Sequence, residues 1–515
     1  MIKNFKWLLL VSLTMVACNN DDDDDTSAVE VPITAGTADF SNYVAVGNSL
    51  TAGFSDNALF REGQENSYPS LLSQQFALVG GGDFAIPFVG EDNLGGLLLG
   101  GNVIAGTRLY FNGVGPVNVP GTPVTEVTNH LSGTFNNMGV PGAKSFHLLA
   151  PGYGNVAGVA SGASNPYFVR FASTPTATVI GDAVAQNPTF FSLWIGNNDI
   201  LSYATSGGIG VNQSGNMNPA TYGPNDITDP TVFASVYGNL VDQLVGTGAK
   251  GVVANLPYVT SIPFFTTVPV NPLTATTIGS GNAAVGEATI TQLNAQLYGP
   301  LKTALTAFGA GDRINLLSAT TGNPLLISDE SLTDLSAQLT QAFTPTLGLP
   351  VATFYGQIFG KARHAKAGDL ILLTTRNVIG TAPVGIPAPL NAFGITFPLE
   401  DRHVLIPTEI EELRVATVAF NATISAEATA NNLAFVDANA LLQQVSNGGV
   451  RFGNYHLSSS FVTGGAFSLD GVHPSSRGYA LIANKFLEAI NATYGSTFRP
   501  LDLGDYRVQY PAILQ

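Results

Sequence analysis

The residues best suited to chemistry are a serine near the start of the chain and a histidine near its end. Ser49 directly follows an apolar run, and His473 lies three positions after Asp470. A serine hydroxyl becomes an effective nucleophile when a histidine takes its proton and a carboxylate orients the imidazole. None of the other five histidines has an aspartate at that one-turn spacing. The pattern predicts Ser49 as nucleophile, His473 as base and Asp470 as orienting acid.

Acyl transfer by such a triad also needs hydrogen-bond donors for the negative charge that develops on the substrate oxygen. Asn198, in Gly-Asn-Asn-Asp after an apolar run, could supply its side-chain amide. Gly142, which ends Asn-Met-Gly-Val-Pro-Gly after a short predicted strand, could supply a backbone N–H, although Pro-Gly is equally typical of a plain turn. If a helix begins at Leu50, the Ser49 N–H also lies at a helix N-terminus. A second Gly-x-Asn-Asp at 223–226 follows no apolar run and is interpreted as a turn.

Four motifs in this order resemble the signature blocks of the SGNH, or GDSL, hydrolases. They are Gly-Asn-Ser-Leu, Asn-x-Gly-Val-Pro-Gly, Gly-x-Asn-Asp and, near the C-terminus, Asp-x-x-His. The resemblance covers roughly residues 40–494 apart from insertions. It implies a flavodoxin-like three-layer α/β/α sandwich, hydrolysis through an acyl-enzyme, and no metal or other cofactor. Carried over by position, it gives the catalytic residues Ser49, Asp470 and His473, and the oxyanion donors Ser49, Gly142 and Asn198.

One position departs from that family. Its usual Gly-Asp-Ser-Leu is here Gly-Asn-Ser-Leu, so Asn48 replaces an acid that supports the turn. Asparagine can make similar turn hydrogen bonds, and we therefore expect activity to survive. The nucleophile elbow of α/β-hydrolases is absent, because Thr51 stands where that pattern requires glycine.

The elements that must position these residues follow a βα pattern. Nearly continuous apolar runs predict buried strands at 43–46, 189–195, 251–255 and 433–436. Apolar residues at helical spacing predict helices at 231–245 and 288–308, and another follows Pro407, where Thr408 and Glu411 suggest a capping box. Together these elements predict a mainly parallel α/β sheet.

Three long segments interrupt the pattern and are interpreted as insertions, near residues 80–121, 206–230 and 263–407. The longest is apolar and broken by prolines. Two interpretations stay open for it: a lid or acyl-binding wall, or a segment that merely covers the sheet.

The N-terminus has the pattern of an exported lipoprotein. Lys3 and Lys6 precede an apolar run that is too short to span a bilayer, which predicts a signal peptide at 1–17. The peptide ends in Met-Val-Ala-Cys, which resembles a lipobox and implies lipidation of Cys18, the only cysteine. Five consecutive aspartates predict an acidic flexible tether at 18–36, and the run is similar to the surface-export signal of Bacteroidetes-type lipoproteins. We expect an outer-membrane lipoprotein, surface-exposed, with its hydrolase domain at 37–515.

Composition narrows the function classes further. Hydrophobic residues make up 45% of the chain and charged residues 11%, which suits a large core. The net charge of -16 opposes binding to nucleic acid. Metal catalysis is disfavoured, because the remaining histidines are scattered and no second cysteine exists.

These observations lead to one preferred function and two alternatives. The preferred one is a serine ester hydrolase, lipase- or acylhydrolase-like, because apolar insertions and low charge favour an acyl chain in the substrate. The first alternative is a carbohydrate esterase that deacylates polysaccharides. The second is a non-catalytic surface binding protein on the same fold. In each case the membrane is reached through the lipidated Cys18.

Overall fold

Five parallel strands form the central sheet. The structure, a computed structural model, describes residues 32–514, so the predicted signal peptide, Cys18 and the predicted tether up to residue 31 lie outside the described residues. The strands are β1 (Tyr43–Gly47), β2 (Asn137–Gly139), β3 (Phe190–Trp194), β4 (Lys250–Ala254) and β5 (Ala434–Val436). Their order in the sheet is β2-β1-β3-β4-β5, which is the 2-1-3-4-5 order of flavodoxin-like folds. The predicted α/β class is confirmed.

The register aligns the carboxyl ends of the first three strands. Gly47 pairs with Gly139 on one side and with Trp194 on the other. The order of strands reverses between β1 and β3, and open α/β sheets bind ligands at such a switch point, outside the carboxyl ends of the strands. The segments that follow β1, β2 and β3 therefore meet at the place where this fold class binds its ligands.

Helices cover both faces of the sheet. Phe190 and Trp194 of β3 contact Phe76 and Phe486, which belong to the third and last helices. On the other helical layer, Phe233 stacks on Phe420 with ring centroids 4.1 Å apart. The general preference for right-handed crossovers accounts for two layers on opposite faces, because the chain moves from β1 to β2 in one direction across the sheet and from β2 past β1 to β3 in the other. The α-helices are α1 (Ser49–Ala52), α2 (Arg61–Glu65), α3 (Tyr68–Ala77), α4 (Pro166–Val169), α5 (Val179–Val184), α6 (Asn198–Thr205), α7 (Pro230–Val245), α8 (Pro263–Thr266), α9 (Ala275–Ile278), α10 (Ala283–Leu293), α11 (Gly299–Ala307), α12 (Ser336–Leu347), α13 (Leu349–Phe359), α14 (Pro407–Ala430), α15 (Ala438–Ser446) and α16 (Ser476–Tyr494).

Short turns and hairpins complete the described chain. The 3-10 turns are Ser145–Leu149, Val156–Ser161, Pro219–Thr221, Val259–Ser261, Leu373–Asn377, Asp401–His403 and Leu503–Asp505, and Asn294–Tyr298 is a π-helical turn. Antiparallel pairs join Leu97–Leu99 to Asn102–Ala105, Leu109–Phe111 to Pro116–Asn118, Leu326–Ser328 to Ala362–His364, Leu370–Ile371 to Val404–Leu405, and Val450–Phe452 to Tyr455–Leu457.

The segments interpreted as insertions have structure of their own. Residues 80–121 contain two of the hairpins. Residues 263–407 contain α8 to α13, and Tyr298, Leu339 and Phe359 belong to an apolar cluster separate from the main core. Within residues 32–514, no helix is long and apolar enough to cross a membrane.

The start of α14 differs from the sequence-based prediction. Pro407 is the first helical residue, so the cap is Ile406 rather than Thr408. The carboxylate that closes onto the cap is that of Glu409, which accepts from the Ile406 N–H at 2.8 Å. Glu411 pairs with Arg414 on the surface instead. The predicted capping box was therefore wrong, because proline occupies the first helical position and the cap is the residue before it, two positions earlier than predicted.

Candidate active site

Ser49 lies at the end of β1, as the first residue of α1. The Asn48 side chain caps this helix by accepting from the Leu50 N–H at 3.0 Å. Gly47 allows the strand end to fit, because a Cβ at this position would lie 2.5 Å from the Trp194 carbonyl oxygen of β3. The Ser49 N–H therefore lies at a helix N-terminus, as expected, although the helix begins at Ser49 and not at Leu50.

The structure brings Ser49, His473 and Asp470 together in a hydrogen-bonded series. His473 Nε2 is 2.9 Å from Ser49 Oγ, and His473 Nδ1 is 2.8 Å from Asp470 Oδ2. A carboxylate only accepts, so Nδ1 carries the proton, and in the neutral ring Nε2 then accepts from the serine hydroxyl. This is the tautomer that a general base needs. Ser49 is 7% exposed, which leaves its hydroxyl accessible from one side.

The Asp470 carboxylate is held by five hydrogen bonds. Oδ1 accepts from the backbone N–H groups of Val472 and His473 and from Ser468 Oγ, and Oδ2 accepts from Asn57 N–H besides the imidazole. Burial opposes the charged form, but His473 and these N–H groups outweigh it and lower the pKa of Asp470 to about 2. Asp470 is therefore ionised at neutral pH and keeps its charge beside the imidazole.

The histidine is held by its loop and by an aromatic neighbour. The Phe54 ring lies 4.7 Å from the His473 ring, between centroids. The loop then ends at Ser475, whose hydroxyl caps α16 by accepting from the Gly478 N–H at 3.0 Å. The helix α16 begins directly after this cap, at Ser476.

The three predicted oxyanion donors have different surroundings. Within residues 32–514, no hydrogen bond is made by the N–H of Ser49 or by that of Gly142, which has a φ of +80°. The Asn198 side chain donates one N–H to the Ala143 carbonyl at 2.9 Å, so only its second N–H remains for a ligand. Ser49 and Asn198 line the same cavity, whereas Gly142 is exposed and does not line it.

The motif residues also connect the strand ends to one another. Asn48 Nδ2 donates to Asn197 Oδ1 at 3.1 Å, which joins the end of β1 to the end of β3. Buried Asp199 accepts from the N–H and hydroxyl of Ser145, and thereby holds the segment after Gly142. The sequence did not predict these roles, although Asp199 was visible within its motif.

Two further motif details differ from the sequence interpretation or refine it. Asn137, Met138 and Gly139 are themselves strand β2, whereas the motif was predicted to follow a strand. The second Gly-x-Asn-Asp closes a turn as predicted, because Asp226 Oδ2 accepts from the Gly223 N–H at 2.7 Å.

An apolar cavity of about 110 Å³ opens beside Ser49 and His473. Its remaining walls come mainly from α6, α15 and α16, with contributions from the segment after β4, and none of its lining residues lies in 263–407. Apart from His473, the polar side chains there are those of Ser49, Asn197 and Asn198. The apolar lining comprises Leu50, Trp194, Leu201, Pro257, Val259, Ile262, Ala438, Leu441, Leu442, Val445, Ala466, Phe467, Val472, Pro474, Gly478, Leu481 and Ile482.

One group of carboxylates has the spacing of a metal site, and it lies apart from this cavity. Oxygens of Glu330, Asp401 and Glu409 come within 4.8 Å of one another, the one such group among residues 32–514. Burial raises the pKa of Asp401 to about 6 and that of Glu409 to about 8, and like charges add to both. None of the three lines the cavity beside Ser49.

The chain was compared with protein-family models, with curated proteins and with solved structures. None of the three comparisons gives a match. What the site does must therefore be inferred from its own geometry and from the sequence motifs that form it.

Proposed function

We propose that the protein is a serine ester hydrolase of the SGNH type, which cleaves carboxylic esters through an acyl-serine intermediate. The observation that carries the proposal is the hydrogen-bonded series from Ser49 Oγ through His473 to Asp470. It lies at the switch point of a flavodoxin-like sheet, beside an apolar cavity. Serine, histidine and aspartate in this arrangement perform acyl transfer on several unrelated folds.

In the first half-reaction, Ser49 Oγ attacks the ester carbonyl carbon while His473 Nε2 takes the hydroxyl proton. The Ser49 N–H, the Gly142 N–H and the second Asn198 side-chain N–H are the candidate donors to the resulting oxyanion. Collapse of the tetrahedral intermediate breaks the bond to the alcohol oxygen, which receives the proton from His473. The products of this step are free alcohol and acyl-Ser49.

In the second half-reaction, His473 takes a proton from water, and the oxygen of that water attacks the acyl carbon. Collapse of the second intermediate returns the proton to Ser49 Oγ and releases the carboxylic acid. Asp470 stays ionised throughout and stabilises the imidazolium that forms in each step. Its low pKa is what this role requires.

For the substrate, we propose an ester with an apolar acyl chain, lipase- or lysophospholipid-like. The cavity beside Ser49 is aliphatic along α15 and α16, and burial of each CH₂ group there contributes about 0.8 kcal/mol. An acylated polysaccharide remains the alternative within the same chemistry. A sugar ring would need polar partners or an exposed aromatic face, and Trp194 is buried, with its N–H donated to the Asn255 carbonyl. A non-catalytic binding protein is the alternative of a different class, and the complete triad argues against it.

The test is hydrolysis of nitrophenyl esters from acetate to palmitate by the chain from Asp25 onward. We expect turnover that Ser49→Ala and His473→Ala each abolish, with a preference for longer chains. Leu442→Phe narrows the cavity and should shift the preference toward acetate, whereas Gln444→Phe, on the exposed side of the same helix, should not. Serine-independent turnover, or none on any ester, would refute the proposal. A fixed preference for acetate in the parent chain would favour the polysaccharide esterase.

The proposed location rests on the sequence alone. We propose a lipidated Cys18 that anchors the protein in the outer membrane, with the domain displayed at the cell surface. Metabolic labelling with an alkyne fatty acid should mark the expressed protein and not a Cys18→Ser variant. Equal labelling of both would remove the anchor from the proposal.

A further inference from the structure

A tight turn at Asp56 and Asn57 contacts the loop that carries Asp470 and His473. The two segments are more than 400 residues apart in the chain, and their contact is entirely tertiary. Both turn residues have positive φ, 51° and 63°, a conformation that aspartate and asparagine adopt more readily than most side chains. Strained backbone of this kind persists where the surrounding structure fixes it, and it is frequent at functional sites.

Three hydrogen bonds join this turn to the loop, and a fourth within the loop extends them to Asp470. Asp56 Oδ1 accepts from the Leu469 N–H at 2.8 Å, and the Asp56 N–H donates to Ser468 Oγ at 3.0 Å. Ser468 Oγ in turn donates to Asp470 Oδ1 at 3.0 Å, and the Asn57 N–H donates to Asp470 Oδ2 at 3.0 Å. Both oxygens of Asp470 are therefore held from the turn, one directly and one through Ser468.

The Asp56 carboxyl group itself is almost completely enclosed. It is 1% exposed, and its Oδ2 has no hydrogen-bond partner within residues 32–514. Leaving a buried carboxylate oxygen unpaired is costly when the group is charged. The Asp56 carbonyl also accepts from the Leu109 N–H at 2.8 Å, so the 80–121 insertion fixes the turn from its other side.

The charged and titratable groups around this carboxyl are Asp470, Arg108 and Tyr510. Burial raises the pKa of Asp56 to about 7, the Asp470 charge adds to the rise, and the Leu469 N–H and Arg108 oppose it. The Asp56 charge in turn helps to raise the pKa of Tyr510. The pKa values of these two adjacent carboxyl groups are therefore shifted in opposite directions, because Asp470 is fully hydrogen-bonded and Asp56 is not.

We propose that Asp56 is a positioning residue of the active site, which fixes the Asp470 carboxylate against His473 through Ser468 and the turn backbone. This role rests on the proposed serine hydrolase function. Asp56 does not touch the substrate or the reacting atoms. Asp470 is the carboxylate that contacts the imidazole, and Asp56 acts on it only through hydrogen bonds.

The test compares Asp56→Ala, Asp56→Asn and Ser468→Ala, with Asp39→Asn as control, because Asp39 is exposed at the opposite end of the sheet. We expect Asp56→Ala and Ser468→Ala to lower kcat on nitrophenyl butyrate by up to about 100-fold, as a misplaced catalytic group does, with KM within about twofold. Asp56→Asn keeps the acceptor for Leu469 and should retain kcat below pH 6. Above pH 7, where Asp56 of the parent chain ionises, the ratio of the Asp56→Asn kcat to the parent kcat should change.

A second readout does not depend on turnover. In protein labelled with ¹⁵N-histidine, the His473 Nδ1–H bonded to Asp470 gives a downfield proton signal. We expect Asp56→Ala and Ser468→Ala to shift or broaden it and Asp39→Asn to leave it unchanged. A folded Ser468→Ala or Asp56→Ala variant with both kcat and this signal unaltered would overturn the proposal, as would a pH-independent ratio for Asp56→Asn. If Asp56→Ala does not fold, Asp56→Asn and Ser468→Ala decide the outcome. Absence of ester turnover in the parent chain would refute the proposed function, and the His473 Nδ1–H signal would still test the positioning role.

Discussion

Replacement of Asp470 by asparagine should invert the tautomer of His473. The asparagine amide must place its NH₂ group at one of the two carboxylate oxygen positions. At the Oδ1 position it would face the backbone N–H groups of Val472 and His473, and at the Oδ2 position it would face only one, that of Asn57. Each buried donor left unpaired costs about 1–3 kcal/mol, so the NH₂ group is favoured at the Oδ2 position by about that amount.

With NH₂ at the Oδ2 position, the hydrogen bond to His473 forms only in the tautomer in which Nδ1 accepts and Nε2 carries the proton. Nε2 then donates to Ser49 Oγ, 2.9 Å away, and cannot take its proton. General-base catalysis typically contributes about 10² to 10⁴ to the rate, and we expect kcat/KM on nitrophenyl butyrate to fall by this factor.

The ¹⁵N shifts of labelled histidine should report a proton on Nε2 in Asp470→Asn and on Nδ1 in the parent chain. The Asp39→Asn variant controls for a general effect of removing an aspartate, and coincident thermal unfolding curves would exclude loss of the fold. An Asp470→Asn protein with kcat/KM within tenfold of the parent, or with Nδ1 still protonated, would refute the reasoning.

Three other predictions concern the same part of the molecule. Asn48→Asp keeps the acceptor for the Leu50 N–H, and the Asn197 amide can rotate to donate to the new carboxylate. We therefore expect kcat/KM to stay within about tenfold of the parent value, which is about 1.4 kcal/mol of activation free energy. A loss above a hundredfold would contradict this. Gly139→Ala should lower the free energy of unfolding by about 1–3 kcal/mol in urea titrations, because its Cβ would lie 2.3 Å from the Ala52 nitrogen, whereas Gly115→Ala, which meets nothing within 4 Å, should not. Asp56 has a pKa raised to about 7, so the stability that its protonation provides is present below about pH 4 and is lost as pH rises through about 7. In urea titrations, the free energy of unfolding of Asp56→Asn relative to the parent chain should therefore increase by about 4 kcal/mol over that range. A difference that does not change with pH would contradict this prediction.

The sequence was sufficient to predict the class of the sheet and four of its strands. Those strands are buried on both faces, and long apolar runs identify such strands reliably. Strand β2 could not be recognised in the same way. It has three residues, two of which are asparagine and glycine, and it exists because Gly139 allows the α1 backbone to lie close above it. Its residues were noticed as a motif and not as a strand.

The candidate site shows the same division between local pattern and tertiary contact. Ser49, Asp470 and His473 were predicted because spacing and strand context are visible in the sequence, and the structure places them within hydrogen-bonding distance. The turn at Asp56 and Asn57 gave no signal, since Ser-Asp-Asn is an ordinary turn sequence and its partners lie at the far end of the chain. The cavity lining could not be predicted either. Its walls come mainly from α6, α15 and α16, and no lining residue belongs to 263–407, for which an acyl-binding wall or lid and a cover of the sheet were both open.

The hydrogen bond between Ser49 and His473 joins residues 424 positions apart in the chain. Closing so long a loop is slow relative to local folding, although its entropic cost grows only with the logarithm of length. A growing or unfolded chain therefore carries the serine without its base until residues after Gly471 have been made and have packed against β1. Under the proposed function, the polypeptide would acquire hydrolytic activity as one of the last events of folding, after any passage through a membrane in the unfolded state.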